Sequence, residues 1–516
     1  MLRTARSLLA VVSAGILVVA TAMSCSTSAN TLTNTTNTNG NTNGTTNGGT
    51  NAGSSTYNDL RIPPTLQGTS FNLTLARTTK QFRSGTATDT YGYNGEQFWG
   101  PTLILNQGDS VQMNVTNALT DTTTVHWHGF HIPASMDGGP HQTIAPTTTW
   151  RPTFRVRNNA GTYWYHPHLH TKTYDQLTMG AGGFIIIKDP IESALQLPRT
   201  YGTDDIPLVM TSRRFLSSNQ FSKNIVIDNY GDYMLANGTM NAQVSLPKQF
   251  VRFRLLNAEI ERALNLGFSD NRTFYVITND GGLLDAPVGV TRVRMLPGER
   301  VEILVNLGSD AVGASLDLKA FNSGQTFGFP GNEGNPVTPS GNAGPINGSL
   351  LNNTDFPILH INVAAATTGA ITTLPGALTT NRYWTLADVT NSRTINITGG
   401  QAGGNFSFDN VFFDHGYINQ TIKLNAVEKW TIVNNQIFGH SIHLHDIQFK
   451  IISRSGGPVE AYESGWKDTF YIPKGESVVV VAKFTDFASS TDAFMFHCHM
   501  SNHEDLGLMG QFLVVP

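Results

Sequence analysis

One stretch of the sequence decides the fold, because it joins a β-strand pattern to a group of histidines. Residues 430–445 read WTIVNNQIFGHSIHLH. In Trp430–Asn434 apolar residues stand two apart and an Asn follows, a pattern typical of a half-buried strand that ends in a turn. His443 and His445 follow nine and eleven residues after Asn434.

The same strand pattern occurs twice more along the chain, at Met113–Asn117 and Phe253–Asn257. Nine and eleven residues after Asn117 come His126 and His128, whereas the same offsets from Asn257 reach Leu266 and Phe268. We therefore predict three related β units. The first and third carry a His pair at the same place, and the middle one fills that place with apolar side chains.

Composition agrees with an all-β chain of several domains. At about 150 residues per domain, 516 residues predict roughly three. Only 14% of residues are charged and 50 are Gly, which favours short strands between turns over helical bundles. The net charge of −4 shows no basic surplus for nucleic acid, and two Cys exclude a disulfide scaffold. The expected domains are 57–190, 191–366 and 367–516.

The N-terminus predicts export. Arg3 and Arg6 precede an apolar run from Leu8 to about Ala22, so residues 1–24 are interpreted as a signal peptide. Two cleavage readings stay open: ordinary cleavage after Ala22, or a lipobox in which Cys25 becomes lipidated and attaches the chain to a membrane. Residues 25–56 are almost entirely Thr, Asn, Gly and Ser, and predict a disordered tether. The expected location is extracytoplasmic.

A second pair of motifs repeats later in the first and third domains. Tyr165-His166-Pro167-His168 matches Phe496-His497-Cys498-His499. Ten of the 15 histidines fall in four tight clusters, and neutral imidazole is the commonest metal ligand. One thiolate with two His makes a blue-copper site, which His440, Cys498 and His503 can supply.

The first domain lacks this thiolate site. By the repeat alignment, Thr123 replaces His440, Pro167 replaces Cys498 and Lys172 replaces His503. The eight paired histidines remain, and we expect them to form a metal cluster shared by the first and third domains. Because successive side chains of an extended segment point to opposite sides, Cys498 can bind one metal while His497 and His499 reach the cluster.

These motifs resemble the four signatures of multicopper oxidases, and the resemblance covers about residues 57 to 516. It implies three consecutive cupredoxin-like Greek-key β-sandwich domains, four copper ions and the reduction of O₂ to water. By position, His440, Cys498 and His503 would hold type 1 copper, and His126 and His443 would hold type 2 copper. The pair of type 3 ions would be held by His128, His166, His168, His445, His497 and His499.

The resemblance also implies roles in catalysis for two acids beside the ligands, in addition to Cys498 and His503. Asp137 matches the family Asp near type 2 copper, and Glu504 matches a Glu that supplies protons to the type 3 pair. Leu508 stands at the axial position of type 1 copper, where it would be a non-ligand; a slip of one residue would instead make Met509 axial. His170 is left out of the ligand set, and Trp466-Lys467-Asp468 is interpreted as structural.

Substrate choice stays open in the sequence. A laccase-like oxidase of phenols or aromatic amines is preferred, and the alternative is a metallo-oxidase of Fe(II), Mn(II) or Cu(I). Twelve scattered Met form no Met-dense insertion, which disfavours the cuprous reading. A copper-free structural protein and a two-domain nitrite reductase are both disfavoured by the complete His set. We expect a monomer. Residues 322–353 predict a long loop of unassigned role.

Overall fold

A computed structural model describes residues 57–225, 230–332, 349–399 and 405–516. The predicted signal peptide, Cys25 and the tether lie outside the described residues, as does half of the predicted long loop. Within these four segments, no helix combines the length and apolarity needed to cross a membrane.

Residues 58–188 form eleven strands, whose bounds follow. They are β1 (Asn58–Asp59), β2 (Thr65–Gln67), β3 (Ser70–Lys80), β4 (Thr88–Tyr93), β5 (Thr102–Asn106), β6 (Ser110–Asn117), β7 (His126–His128), β8 (Thr149–Trp150), β9 (Thr153–Arg155), β10 (Gly161–His166) and β11 (Gly183–Lys188). One sheet has the order β2-β5-β11-β10-β7, and the other has β4-β3-β6-β8 with β9 also paired to β6. Apolar side chains of both sheets share one core, so β2–β11 form a sandwich, called sandwich I.

Residues 205–364 form twelve strands. They are β12 (Asp205–Arg213), β13 (Tyr233–Ala236), β14 (Thr239–Met240), β15 (Ala242–Pro247), β16 (Phe250–Asn257), β17 (Leu264–Phe268), β18 (Phe274–Asn279), β19 (Gly282–Val290), β20 (Val293–Met295), β21 (Arg300–Asn306), β22 (Ser315–Phe321) and β23 (Asp355–Ala364). The sheets run β14-β13-β12-β16-β21-β18-β19 and β1-β15-β23-β22-β17-β20. This is sandwich II, and Leu266 and Phe268 are fully buried in its core, as their apolar character predicts.

Residues 391–515 form ten strands. They are β24 (Asn391–Gly399), β25 (Phe406–Phe408), β26 (Gln420–Lys423), β27 (Val427–Asn434), β28 (His440–Leu444), β29 (Lys450–Arg454), β30 (Thr469–Ile472), β31 (Ser477–Lys483), β32 (Phe494–Cys498) and β33 (Met509–Val515). The sheets run β25-β24-β27-β31-β29 and β26-β33-β32-β28-β30, with a common core between them. This is sandwich III.

In the part of the chain that the structure describes, helix is confined to short pieces, and the prediction of an all-β fold is confirmed. The α-helices are α1 (Thr173–Thr178), α2 (Pro190–Ala194) and α3 (Ser501–Asp505), with single 3₁₀ turns at Ala134–Met136, Leu386–Asp388 and Ala461–Glu463. Helices α1 and α3 each follow a late His pair. They are tied together because Asp505 accepts hydrogen bonds from the backbone N–H groups of Thr173 and Tyr174, at 3.2 and 2.8 Å.

Candidate metal centre

Strand register brings the two His pairs of each sandwich together. In sandwich I, β7 and β10 are antiparallel and His126 lies opposite His166. In sandwich III, β28 and β32 are antiparallel and His443 lies opposite His497. Because residues opposite each other in an antiparallel pair are close neighbours, motifs far apart in sequence become adjacent in space.

The eight histidines then meet between sandwiches I and III as two groups of three and one group of two. His168 Nε2 lies 3.1 Å from Nε2 of both His445 and His497, which are 3.2 Å from each other. We call these three residues the first trio.

The second trio is His128, His166 and His499. His128 Nδ1 lies 3.1 Å from His499 Nε2 and 3.4 Å from His166 Nε2. Each trio contains residues of both sandwiches, so neither sandwich completes a trio alone.

The remaining two, His126 and His443, offer nitrogen atoms that no described residue satisfies. His126 Nδ1 donates to the Asp137 carbonyl at 2.9 Å, and His443 Nδ1 donates to the Asp468 carbonyl at 2.8 Å. Each Nε2 therefore carries a lone pair, yet both are buried without a hydrogen-bond partner among the described residues. Buried polar atoms are nearly always satisfied, and a cation bound between these two atoms would satisfy both.

The protonation state of the cluster also suits a metal. Burial, followed by the neighbouring histidines, lowers the pKa of His166, His443 and His445 well below 6.5. Their imidazoles are neutral at physiological pH, which is the form that binds metal ions. The residues present therefore fit a cluster of copper ions.

A separate group of three lies within sandwich III. Cys498 Sγ is 3.6 Å from His440 Nδ1 and 3.6 Å from His503 Nδ1. Burial raises the pKa of the Cys498 thiol to about 12, so the thiolate needs a bound cation to form. Two imidazoles and one buried sulfur fit a mononuclear copper ion.

Leu508 and Met509, the two candidates for the axial position, occupy different surroundings. Leu508 is fully buried in the same apolar cluster as Cys498, and its carbonyl accepts the Cys498 N–H at 3.0 Å. Met509 packs in another cluster, with Ala493 and Met495. Leu508, a side chain that cannot coordinate, thus shares a core and a backbone hydrogen bond with Cys498, whereas Met509 packs elsewhere.

Both predicted acids bridge the two sandwiches. Asp137 Oδ2 lies 2.6 Å from His445 Nδ1, and its Oδ1 lies 3.3 Å from His126 Nδ1. Glu504 Oε1 lies 3.1 Å from His168 Nδ1, and its Oε2 lies 3.3 Å from His497 Nδ1. Each carboxylate therefore lies close to one histidine of sandwich I and one of sandwich III.

The environment of Glu504 favours its charged form. Burial alone would raise the pKa of this carboxyl, but His168 and His497 hold it well below its usual range. Glu504 Oε1 also accepts a hydrogen bond from Thr173 Oγ1 at 2.8 Å. The Thr173 hydroxyl, on the side of sandwich I, therefore donates to the Glu504 carboxylate on the side of sandwich III.

Two further residues, which sequence reasoning missed, lie at the cluster. Asp468 Oδ1 is 3.2 Å from His128 Nε2, although its segment was assigned only a structural role. Arg300 of sandwich II forms an ion pair with Asp468 at 2.6 Å. Asp468 could have been found as a carboxylate that stands directly before strand β30, which is fully buried. No comparable pattern identifies Arg300.

A third missed residue lies beside the outer edge of the mononuclear group. Glu261 Oε1 is 3.7 Å from His503 Nε2, and the side chains of both are slightly exposed, at 11% and 7%. His170, which was left out of the ligand set, lies apart from the trios, with its ring against Phe413 and His415 at 4.9 and 5.9 Å.

Comparison with known proteins agrees with this geometry. Family models described as multicopper oxidase match residues 74–192 and 387–516. A multicopper oxidase, mco, from Staphylococcus haemolyticus is 31% identical over 440 residues, covering 84% of this chain and 86% of that protein. Cell division protein FtsP of Escherichia coli is 28% identical, covering 89% and 93%.

A solved structure shows the same fold. The laccase-like multicopper oxidase CueO from Ochrobactrum sp., described as having oxidase activity towards lignin model compounds, is 28% identical with a TM-score of 0.77. The match covers 88% of this chain and 100% of that one.

Proposed function

The chain belongs to the multicopper oxidase family, and we propose that it oxidises phenols or aromatic amines, with O₂ as the electron acceptor. The observation that carries this proposal is the complete set of buried nitrogen and sulfur atoms at two sites joined by one strand end. The type 1 site consists of His440, Cys498 and His503. The second site consists of the two trios together with His126 and His443.

Copper bound at these residues would supply the redox chemistry. Four one-electron oxidations of the substrate would deliver the four electrons that, with four protons, reduce O₂ to two waters. We assign one type 1 ion to the thiolate group, one type 2 ion to His126 and His443, and two type 3 ions to the two trios. Cys498 contacts both type 1 histidines, while His497 belongs to the first trio and His499 to the second. Each covalent path from the sulfur to the cluster therefore runs through only two residues, Cys498 and one adjacent histidine.

The two bridging acids have roles of their own in this proposal. Reduction of O₂ to water consumes four protons, so acidic groups are needed beside the cluster. The Asp137 carboxylate accepts from His445 Nδ1 and the Asp137 carbonyl accepts from His126 Nδ1, which leaves both Nε2 atoms for the metal. The Glu504 carboxylate lies 3.1 Å from His168 Nδ1 and 3.3 Å from His497 Nδ1, and its contact with Thr173 gives it a hydroxyl partner for proton exchange.

The architecture and location are part of the same proposal. We assign sandwiches I, II and III to domains 57–190, 191–366 and 367–516, with β1 of the first domain adding a strand to a sheet of sandwich II. We further propose that the chain acts as a monomer outside the cytoplasm. Either a lipidated Cys25 attaches it to a membrane, or it is released after cleavage at Ala22. Labelling with a radioactive fatty acid in cells producing the wild type or Cys25→Ala distinguishes the two.

A metallo-oxidase is the second candidate, and one observation favours it. The carboxylate of Glu261 lies beside the slightly exposed His503, and a carboxylate at the electron-entry edge attracts a cation such as Fe(II), Mn(II) or Cu(I). The family also contains members whose described role lies outside oxidation, such as the cell division protein FtsP. A purely structural role, however, would give the chain no use for its complete ligand set.

Steady-state kinetics of the copper-loaded protein tests the proposal. Rates of O₂ consumption are compared for a phenol, an aromatic amine, Fe(II), Mn(II) and Cu(I), with wild type and Glu261→Gln. We expect efficient oxidation of the organic substrates and about four substrate molecules per O₂. Efficient oxidation of metal ions alone, lost in Glu261→Gln, would overturn the laccase-like proposal. A copper-loaded protein that oxidises none of the five would overturn both enzymatic candidates.

A further inference from the structure

Sandwich II holds none of the proposed ligands, yet one of its segments lies directly against the cluster. This is the 296–300 segment, Leu296-Pro297-Gly298-Glu299-Arg300, which enters strand β21. The Pro297 carbonyl accepts a hydrogen bond from Ser441 Oγ at 2.7 Å. Gly298 has φ +91°, and a Cβ there would stand 2.7 Å from Cγ of His499. The segment therefore approaches the second trio as closely as the backbone permits.

Arg300 is held rigidly at the end of this segment. Its side chain is fully buried, and every one of its five N–H donors has an acceptor. Nε donates to Thr162 O at 3.2 Å, Nη1 to Gly298 O at 3.0 Å, and Nη2 to Asp280 O at 3.0 Å. The remaining two donors form a fork on Asp468, with Nη1–Oδ1 at 2.7 Å and Nη2–Oδ2 at 2.6 Å.

This fork determines which ring nitrogen of His128 carries the proton. Arg300 stays charged, and both Asp468 oxygens already accept its N–H groups, so the carboxylate can act towards His128 only as an acceptor. Asp468 Oδ1 lies 3.2 Å from His128 Nε2, which must therefore carry the proton. The lone pair is left on Nδ1, the atom that faces His499 and His166.

His128 is the exception among the eight histidines shared by sandwiches I and III. His126, His166 and His443 each turn Nδ1 to a backbone carbonyl, at 2.9, 2.9 and 2.8 Å. They present Nε2 to the cluster, whereas His128 presents Nδ1. The one histidine with the reversed ring is the one that contacts the Arg300–Asp468 pair.

The backbone next to His128 is adapted to the same contact. Gly129 has φ +84°, and a Cβ there would lie 2.5 Å from Asp468 Oδ2 and 2.7 Å from Arg300 Nη2. Any larger residue would push the ion pair away from His128. The close approach is therefore a second, independent feature that points to the same function.

We infer that the Arg300–Asp468 pair positions His128 and selects Nδ1 as its metal-binding atom, so that sandwich II helps to build the type 3 copper pair. The inference rests on the proposed function. Arg300 and Asp468 are positioning residues, because they act through the imidazole of His128. Carboxylates that orient metal-binding histidines in this way typically matter about 10- to 100-fold for metal affinity or activity.

A double variant tests the inference without leaving a buried charge unpaired. Arg300→Met combined with Asp468→Leu replaces the ion pair with apolar side chains, an exchange that often leaves stability unchanged or higher. We expect the blue absorption of type 1 copper to persist. The fraction of copper that EPR detects should rise above the one half expected with a coupled pair, and the near-ultraviolet band of that pair should disappear. O₂ consumption should fall about 10- to 100-fold.

The matched control is Arg272→Met with Asp310→Leu. This pair, also in sandwich II, forms the same fork at 2.8 and 2.8 Å but contacts no clustered histidine. Wild-type EPR and near-ultraviolet spectra are expected for it. Should the first double variant fail to fold, Arg300→Lys carries the test, because it keeps the charge and loses the fork.

Two results would overturn the inference. In the first, the Arg300 variants keep the wild-type fraction of EPR-detected copper and the near-ultraviolet band. In the second, the control variant shows the same spectral changes as the Arg300 variants. A failure of the proposed function looks different, because the wild type itself would then lack the coupled copper pair.

Discussion

Sandwiches I and III carry the same histidine framework but differ at three positions. Where sandwich III has His440, Cys498 and His503, sandwich I has Thr123, Pro167 and Lys172. In sandwich I the position of the first ligand is filled by a buried hydrogen bond, in which Thr123 Oγ1 donates to Gln176 Oε1 at 2.6 Å. Polar side chains that satisfy each other leave no nitrogen or sulfur atom for a metal.

This comparison distinguishes the metal site that both sandwiches build together from the site that sandwich III builds alone. Both sandwiches supply two His pairs, and the trios, with Asp137 and Glu504, need both. The thiolate group needs sandwich III alone. A mononuclear site can therefore be removed from one sandwich without loss of the framework, whereas the shared cluster depends on how the two sandwiches pack.

Loss of the thiol should have the largest effect. Cys498→Ser removes from sandwich III the atom that sandwich I already lacks, so we expect no blue absorption and oxidation of organic substrates at the background rate. The copper held between the sandwiches should remain, as measured by copper content and EPR. Retained blue colour, or loss of all copper, would contradict the separation of the two sites.

Asp137→Asn tests the shared framework. The amide is uncharged, so the 2.6 Å contact with His445 Nδ1 weakens and a carboxylate beside the cluster is lost, while the backbone contact with His126 stays. We expect the blue absorption to persist and O₂ turnover to fall about 10- to 100-fold. Asp189→Asn is the control, because Asp189 is also a buried acid of this region but caps α2. Unchanged turnover in Asp137→Asn would remove Asp137 from the proposed mechanism.

The axial position offers a matched pair of smaller changes. Leu508 and Leu177 both stand ten residues after the compared positions Cys498 and Pro167, and both are buried. Leu508→Met introduces a thioether beside type 1 copper and should lower its reduction potential, with a few-fold change in rate. Leu177→Met should leave the potential unchanged. A redox titration measures both, and an unshifted potential in Leu508→Met would argue against the axial assignment.

The smallest effect, on stability alone, concerns a contact between the two sandwiches. His131 of sandwich I lies 2.9 Å from Asp446 and 3.1 Å from Asp486 of sandwich III. Burial alone would lower the pKa of His131, but these carboxylates outweigh it and raise the pKa to about 9. The stabilisation is complete below pH 6.5, where the unfolded side chain is also protonated, and is lost as pH rises through 9.

His131→Asn should therefore reduce the free energy of unfolding by up to about 3 kcal/mol at pH 6, and by progressively less towards pH 9. Denaturant unfolding of wild type and variant at several pH values measures the difference. A loss that does not vary with pH would show that the charge of His131 makes no contribution.

Local spacing was enough to predict the strands, the three β units and the two halves of each His set. The reason is that successive side chains of a strand point to opposite faces. A His-x-His pair at the same offset in each unit therefore presents both rings on one face, whatever surrounds it. The absence of ligands in the middle unit was visible for the same reason, since Leu266 and Phe268 take the places of a His pair.

Tertiary structure alone decided how these halves combine. The trios join His168 to His445 and His497, and His128 to His499, across sandwiches that are separate in sequence. Arg300 reaches Asp468 from a sandwich without ligands, and Glu261 reaches His503 from the same sandwich. Such contacts join residues more than 160 positions apart, and they depend on the packing of whole domains, which leaves no periodic pattern in the chain.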